Sequence, residues 1–361
     1  MERISLSNHA FEGNNNVYLF DDGTETVLID SGDRMDSTRE HLKERLAAHG
    51  VGFADVDRIF LTHWHGDHTG LAGEIQAAGD AEVYVHEYDA PLVEGDDDAW
   101  AEMFALQERY FDAWAMPEDK QAVLLERRMG ADALGTTPTV TTFEDGDVFT
   151  FPGRDRDHEL RVVHASGHAK GLSLFEFDGD GAAGDGGGTE DDGAADGATA
   201  QSGGREVFSG DALLPVYTPN VGGADVRVER PLEKYLRALR RIVEAGYGRA
   251  WPGHRDPIAD PADRASFIVH HHEERAWRVL DTLRRLGSAD TWTVSAELFG
   301  ELESIHILHG PGESYAHLEH LERADMVVRE EDDDGVWQYR LADGVADELA
   351  SLDGERWPLE Y

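Results

Sequence analysis

The chain has 361 residues, 40% of them hydrophobic, which suits one large domain with an accessory piece, or two domains. It contains no apolar run of about eighteen residues, and its opening Met1-Glu2-Arg3-Ile4-Ser5-Leu6 has no apolar leader core, so a cytoplasmic protein is expected. Seventy-four acids stand against 32 bases, a formal net charge of −42, and the absence of cysteine excludes disulfides and thiolate-held metals.

Strand-like runs open the chain. Asn16-Val17-Tyr18-Leu19-Phe20 and Glu25-Thr26-Val27-Leu28-Ile29-Asp30 flank Asp21-Asp22-Gly23, a hairpin-turn signal. Leu42 and Leu46, at i and i+4, predict a helix over about 36–49. Asp57-Arg58-Ile59-Phe60-Leu61-Thr62 reads as a buried strand running into His63, followed by a helix over about 69–78 and the strand Glu82-Val83-Tyr84-Val85-His86. Residues 88–130 read as an amphipathic helical insertion carrying Trp100, Phe104, Tyr110, Phe111 and Trp114, broken near Pro117. It could pack on the main domain, cover a site, or both.

Strands resume near 139–151, 160–164, 172–177 and 206–210. The Gly-, Ala- and Asp-rich stretch 178–205 holds too little apolar surface to offset its ordering entropy and is expected to be a disordered insertion in a hairpin. A helix is expected over 231–245, then Arg249-Ala250-Trp251-Pro252-Gly253-His254. Beyond Pro257 and Pro261 the texture changes. A long helix over 263–286, short helices over 292–323 and a hairpin of Met326-Val327-Val328 with Val336-Trp337-Gln338-Tyr339-Arg340-Leu341 suggest a helical, winged-helix-like tail. The expected division is therefore 1–262 and 263–361.

The chemistry centres on Thr62-His63-Trp64-His65-Gly66-Asp67-His68-Thr69-Gly70, three imidazoles and a carboxylate directly after an apolar strand. Imidazole nitrogen and carboxylate oxygen are divalent-metal ligands. His63 and His65 can converge on one ion while Asp67 and His68 face a second. Three more candidates each follow a glycine just past an apolar strand: His168 in His164-Ala165-Ser166-Gly167-His168, Asp211 in Val207-Phe208-Ser209-Gly210-Asp211, and His254 in Trp251-Pro252-Gly253-His254. His164 reads as strand-borne, His270-His271-His272 as a solvated helix face, and Lys170 as a lone cation that could meet an anionic substrate.

In this set and order the motifs resemble the metallo-β-lactamase superfamily over about residues 5–260, with Asp30 in Leu28-Ile29-Asp30-Ser31-Gly32 as the first motif. The resemblance implies an α/β fold, the four-layer αββα sandwich. It also implies two divalent metals, zinc first with iron or manganese as alternatives. His63, His65 and His168 would hold one and Asp67, His68 and His254 the other; Asp211 would bridge them, and Asp30 would support the ligand loop. It implies hydrolysis by a metal-activated hydroxide, with Asp67 and Asp211 orienting it and assisting proton transfer.

The lack of cysteine excludes antibiotic-resistance enzymes with a cysteine ligand, and Asp211 disfavours relatives without the bridging aspartate. The remaining resemblance is to glyoxalase II-like thioesterases and to ribonuclease Z-like or β-lactamase-like protein 2 nucleases. Ile268-Val269-His270-His271-His272-Glu273-Glu274-Arg275 and the tail are similar to the latter branch. A phosphate-tracking surface needs clustered bases, whereas the expected wing tip is Glu330-Glu331-Asp332-Asp333-Asp334. A small-molecule ester or thioester hydrolase is the first reading, and an endoribonuclease or phosphodiesterase the second. An oxygen-reducing or persulfide-oxidising iron enzyme is the third. The tail is expected to shape the substrate entrance or an oligomer contact.

The acids are spread along the whole chain, which favours adaptation to a salt-rich cytoplasm, as in haloarchaea, over a partner-specific acidic surface. Their mutual repulsion weakens the fold in dilute salt and is screened at molar salt, where the Debye length is about 3 Å. Thermal melts across a KCl series should therefore show stability rising steeply with salt; a melting temperature flat from tens of millimolar to molar KCl would contradict this.

Overall fold

The computed structural model describes residues 1–7, 13–126, 136–179 and 204–351. The apolar runs of the first half form a six-stranded sheet: β1 (Glu2–Leu6), β2 (Asn15–Phe20), β3 (Val27–Ile29), β4 (Arg58–Phe60), β5 (Glu82–His86) and β6 (Val140–Phe143), in that spatial order. The first three pair antiparallel and the last four parallel. The second sheet runs β11-β10-β9-β8-β7, from β7 (Val148–Phe151), β8 (His158–His164), β9 (Ser173–Asp178), β10 (Arg205–Gly210) and β11 (Arg249–Pro252). As expected, β9 and β10 pair antiparallel, with Arg205 opposite Asp178. Most of the segment expected to be disordered, 180–203, lies outside the described residues.

Strand side chains alternate between faces. Tyr18, Phe20, Phe60, Phe175, Phe177 and Phe208 point between the sheets and form an aromatic layer. Val17, Leu19, Ile59 and Leu61 point the other way, against Leu42 and Leu46 of α1 (Asp36–Ala47) and Ile75 of α3 (Ala72–Gly79). The one-turn α2 (Gly66–Thr69) lies just before α3. The outer face of the second sheet, with Leu174, Val207 and Ala250, is covered by the apolar stripe Leu232, Tyr235, Leu236, Leu239 and Ile242 of α7 (Pro231–Ala245) and by Ala265 and Ile268 of α8 (Pro261–Leu286). This is the expected four-layer αββα order. Among the described residues no helix is long and apolar enough to cross a membrane.

The insertion forms α4 (Ala90–Val93), α5 (Asp97–Ala113) and α6 (Glu118–Glu126). After α8 come β12 (Ala289–Asp290), α9 (Thr291–Phe299), α10 (His306–Arg323), β13 (Val327–Glu331), β14 (Trp337–Leu341) and α11 (Val345–Ser351). The expected hairpin gains a third strand, because Ala289 pairs with Tyr339. The tail has an apolar core of its own around Leu283, Val294, Leu318, Leu321 and Tyr339. One expectation is corrected here. His270-His271-His272 is not a solvated face: successive helical residues point about 100° apart, and although His270 is exposed, His272 is fully buried.

Insertion and tail meet. Trp100, Phe111, Trp114 and Met116 share one apolar cluster with Ile307, Leu308, Tyr315 and Trp337, and Trp292 N–H donates to the Trp114 carbonyl at 2.9 Å. Removing everything after residue 262 would uncover both this cluster and the stripe of α7. Such a shortened chain should aggregate and lose its cooperative melt in high salt, read by size-exclusion chromatography and calorimetry. A monomer that melts cooperatively would contradict this packing.

Candidate metal centre

All seven expected ligands fall at the carboxyl ends of strands: His63, His65, Asp67 and His68 after β4, His168 after β8, Asp211 after β10 and His254 after β11. The two sheets are stitched together at this end. Asn16 N–H donates to the Gly253 carbonyl at 2.7 Å, and Ser173 N–H to the Thr62 carbonyl at 2.9 Å.

The outward hydrogen bonds fix each imidazole's tautomer. Thr62 Oγ1 donates to Asp30 Oδ2 at 2.9 Å, so its contact with His63 Nδ1 at 3.0 Å has the ring donating. His65 Nε2–H donates to the Ala224 carbonyl at 3.1 Å, and His168 Nδ1–H to the Asn220 carbonyl at 2.9 Å. The inward atoms, His63 Nε2, His65 Nδ1 and His168 Nε2, therefore carry lone pairs. They nevertheless lie close together, His65 Nδ1 being 2.9 Å from His63 Nε2 and 3.1 Å from His168 Nε2. Three lone pairs facing one another repel unless a cation sits among them.

The second group is built the same way. His68 Nδ1–H donates to Asp30 Oδ2 at 2.8 Å and turns Nε2 inward. His254 Nε2 lies 3.4 Å from Asp67 Oδ2, and His68 Nε2 lies 3.9 Å from it. Asp211 faces both groups: Oδ1 is 3.4 Å from His68 Nε2, while Oδ2 is 3.4 Å from His254 Nε2 and 3.7 Å from His168 Nε2. The triplets His63–His65–His168, His63–His68–Asp211 and Asp67–His68–His254 each have the reach of one metal ion. His68 Nε2, His254 Nε2 and Asp211 Oδ1 are buried without a hydrogen-bond partner among the described residues. Such orphaned atoms are costly unless something binds them, and this donor set fits divalent cations.

The electrostatics agree. Burial keeps His63 well below its ordinary pKa and lowers His65 to about 4, so both stay neutral. At Asp211 burial favours the acid form, but His254 and His68 outweigh it and keep the carboxylate anionic. Burial also opposes charge on His254, yet Asp211 and Asp67 raise it to about 9. The site demands positive charge, which a metal supplies by displacing protons. Close backbone approach completes it: a Cβ on Gly253 would lie 2.5 Å from both Asp211 Oδ1 and His68 Cε1.

The expected supporting role of Asp30 has its geometry. Buried and held at φ 60°, it accepts from Thr62 N–H at 2.8 Å as well as from Thr62 Oγ1 and His68. His164 stays outside the centre: its Nε2–H donates to the Lys170 carbonyl and its ring stacks on His86. Lys170 lies with Nζ 5.2 Å above the Tyr88 ring.

Sequence reasoning missed the frame around the ligands. Asp89 accepts from Trp64 N–H, between His63 and His65, and from Gly171 N–H, past His168. Asp225 accepts from Trp64 Nε1–H and Lys170 N–H. Arg227 clasps both carboxylates, at 2.8 and 2.6 Å. Burial pushes Asp89 up to about 6; at Asp225 the attraction of Arg227 outweighs burial and lowers it to about 2. His309 of the tail lies near enough to be felt by the centre: burial first, and then His168, lower it to about 3. Asp225-Val226-Arg227 was the one local signal, an acid–base pair in an otherwise plain loop.

Removing one partner of a buried ion pair leaves an uncompensated charge. Arg227→Met should therefore cost about 3–5 kcal/mol, and adding Asp89→Asn with Asp225→Asn should recover much of it. Denaturant melts at fixed high salt measure this; a loss under about 1 kcal/mol, the range of a surface pair, would contradict the role of the clasp.

Comparison with known proteins places this geometry. The chain is similar to the probable metallo-hydrolase YqjP of Bacillus subtilis (strain 168), 26% identical over 327 residues that cover 86% of this chain and 89% of that protein. It is 24% identical over 271 residues to a beta-lactamase-like protein 2 homolog of Drosophila melanogaster, covering 73% of this chain and 66% of that one. A crystal structure of a metallo-beta-lactamase family protein from Thermus thermophilus superposes with a TM-score of 0.72 at 27% identity, over 94% of this chain and 98% of that one. The family described as the metallo-beta-lactamase superfamily matches residues 10–254, which span all seven convergent side chains, and the chain belongs to that superfamily.

Proposed function

We propose that this chain, a metal-dependent hydrolase of the metallo-beta-lactamase fold, holds two zinc ions and cleaves an ester or thioester of a small molecule. The observation that carries the dinuclear reading is Asp211, which faces both ligand groups: Oδ1 and Oδ2 lie 3.4 Å from His68 Nε2 and His254 Nε2, and Oδ2 also lies 3.7 Å from His168 Nε2 of the other group. Two divalent cations held there would activate a water for attack and offset negative charge developing on the substrate.

The chain's own residues do the rest. The Asp67 side chain, 31% exposed, lies on the open side of the centre. Asn15 Nδ2–H holds it, donating to Oδ2 at 3.2 Å and to the Asp67 carbonyl at 2.9 Å. The Asp67 carboxylate takes a proton from the attacking water and returns it to the departing thiol or alcohol, leaving a carboxylic acid as the other product. Asp211 is buried and orients the water rather than exchanging protons with solvent.

The acyl-transfer reading rests on charge. Arginines along α7 and α8 that could meet phosphates are drawn into ion pairs: Arg237 with Glu233, Arg240 with Glu244, Arg284 with Asp281, and Arg285 with Glu297. Glu331, Asp332, Asp333 and Asp334 at the β13–β14 turn are exposed, in a fold whose tail we read as a winged-helix-like unit following residue 262. A nucleic acid would meet repulsion there.

Full-length protein assayed in molar KCl against thioesters, lactones, phosphodiesters and short RNAs should turn over the first two classes and carry two metal equivalents by elemental analysis. Asp67→Asn should lower that turnover about 10²–10⁴-fold. RNA cleavage with esters untouched would replace this reading with a nuclease, and active protein with no more than one metal would end the dinuclear claim.

A further inference from the structure

Two ligands of the first group owe their orientation to one loop. His168 is held by the carbonyl of Asn220 and His65 by the carbonyl of Ala224. The Asn220 side chain clamps that loop on itself: Oδ1 accepts from Gly223 N–H at 3.1 Å and Ala224 N–H at 2.8 Å. Its Nδ2–H group reaches into the tail, donating to the His309 carbonyl at 3.0 Å and to Glu313 Oε2 at 3.1 Å. Glu313 Oε2 also accepts Val221 N–H at 3.0 Å.

Glu313 belongs to α10 and is 3% exposed. Arg275 of α8 holds its other oxygen, Oε1, at 2.8 Å. The loop sits directly against α10. A Cβ on Gly222, which has φ +92°, would lie 2.5 Å from the Gly312 carbonyl oxygen, and one on Gly312 would lie 2.2 Å from Gly223 Cα. Only paired glycines allow this approach. His317 Nδ1–H donates to the Glu313 carbonyl at 2.7 Å, and its Nε2 accepts from His272 Nδ1–H at 3.2 Å.

His272, Glu313 and His317 also lie within reach of a single cation. A third metal is disfavoured there, because Glu313 has both oxygens engaged and the Arg275 guanidinium already supplies the positive charge. The cluster instead locks α10 onto the loop.

We propose that Glu313, anchored by Arg275, is a positioning residue of the metal centre: through Asn220 it fixes the loop whose carbonyls aim His168 and His65. The tail thus sets the affinity of one metal position of two. This rests on the reading of His63, His65 and His168 as one ligand set. Partners that orient a ligand from behind typically change metal affinity 10–100-fold.

The test is a Co²⁺ titration of full-length, metal-free protein in molar KCl, followed by visible absorption, with thermal melts of each metal-free variant alongside. Wild type should take two equivalents, and His168→Ala should lose one. Glu313→Ala should weaken that same equivalent about 10–100-fold and shift its visible bands, while the other equivalent keeps its affinity. Asn220→Ala should do the same, and the double variant should lose little more than either single one, as expected for residues acting in series. If Glu313→Ala fails to fold, Asn220→Ala alone decides: selective weakening of one equivalent supports the proposal, and native affinity for both overturns it. Native affinity in a folded Glu313→Ala overturns it equally. If His168→Ala still binds two equivalents, the ligand assignment itself fails, which is a distinct result.

Discussion

Within a few ångströms the fold gathers inward-facing imidazole lone pairs and two carboxylates, nearly all withdrawn from water. Such groups repel one another strongly in a medium of low dielectric. A cation turns that repulsion into attraction, and much of the architecture serves to keep the groups in place for it. Each ring except His254 turns its outer N–H to a fixed acceptor: Thr62, Ala224, Asp30 or Asn220. His254 Nδ1 has no such partner among the described residues and is held by its backbone, where Asn15 bridges to it.

The acceptors come from elements far apart in sequence. Asp30 follows β3, Thr62 follows β4, and the loop holding Asn220 and Ala224 follows β10. Two buried ionic devices tie these pieces together. The clasp of Asp89, Arg227 and Asp225 joins the loops after β4 and β8, and the pair Glu313–Arg275 joins the loop after β10 to the tail. Buried ion pairs carry a desolvation cost that apolar side chains would avoid. Their value here is directional: a carboxylate with several fixed donors sets the position of a backbone segment, which a leucine cannot do.

The surface obeys a different rule. A net charge of −42 repels itself in dilute salt and is screened as ions are added, and many arginines are drawn into pairs with neighbouring carboxylates. The candidate metal centre lies at the end of a core that is aromatic between the sheets and aliphatic beneath the helices. Insertion and tail close over one another beside it, with Trp114 fully buried between them.

The seven convergent residues were legible in the sequence because they form short polar motifs at the ends of apolar strands, and both features survive without knowledge of tertiary structure. The sandwich followed from the family resemblance that those motifs carry; β2 itself is buried on both faces and shows no alternation. The hairpin interrupted by the acidic insertion could be read from its two apolar flanks. What the sequence left unread depends on partners distant in the chain. Asp89 and Asp225 look like ordinary surface acids until folding closes them around Arg227. His272 looks like part of a solvated run until α10 packs over it. Glu313 and Asn220 lie 93 residues apart, and no local pattern signals that they touch. Only the tertiary structure decides those contacts, because they arise from helices docking on a loop, whose geometry is set by glycine-to-glycine approach rather than by any periodicity in the chain.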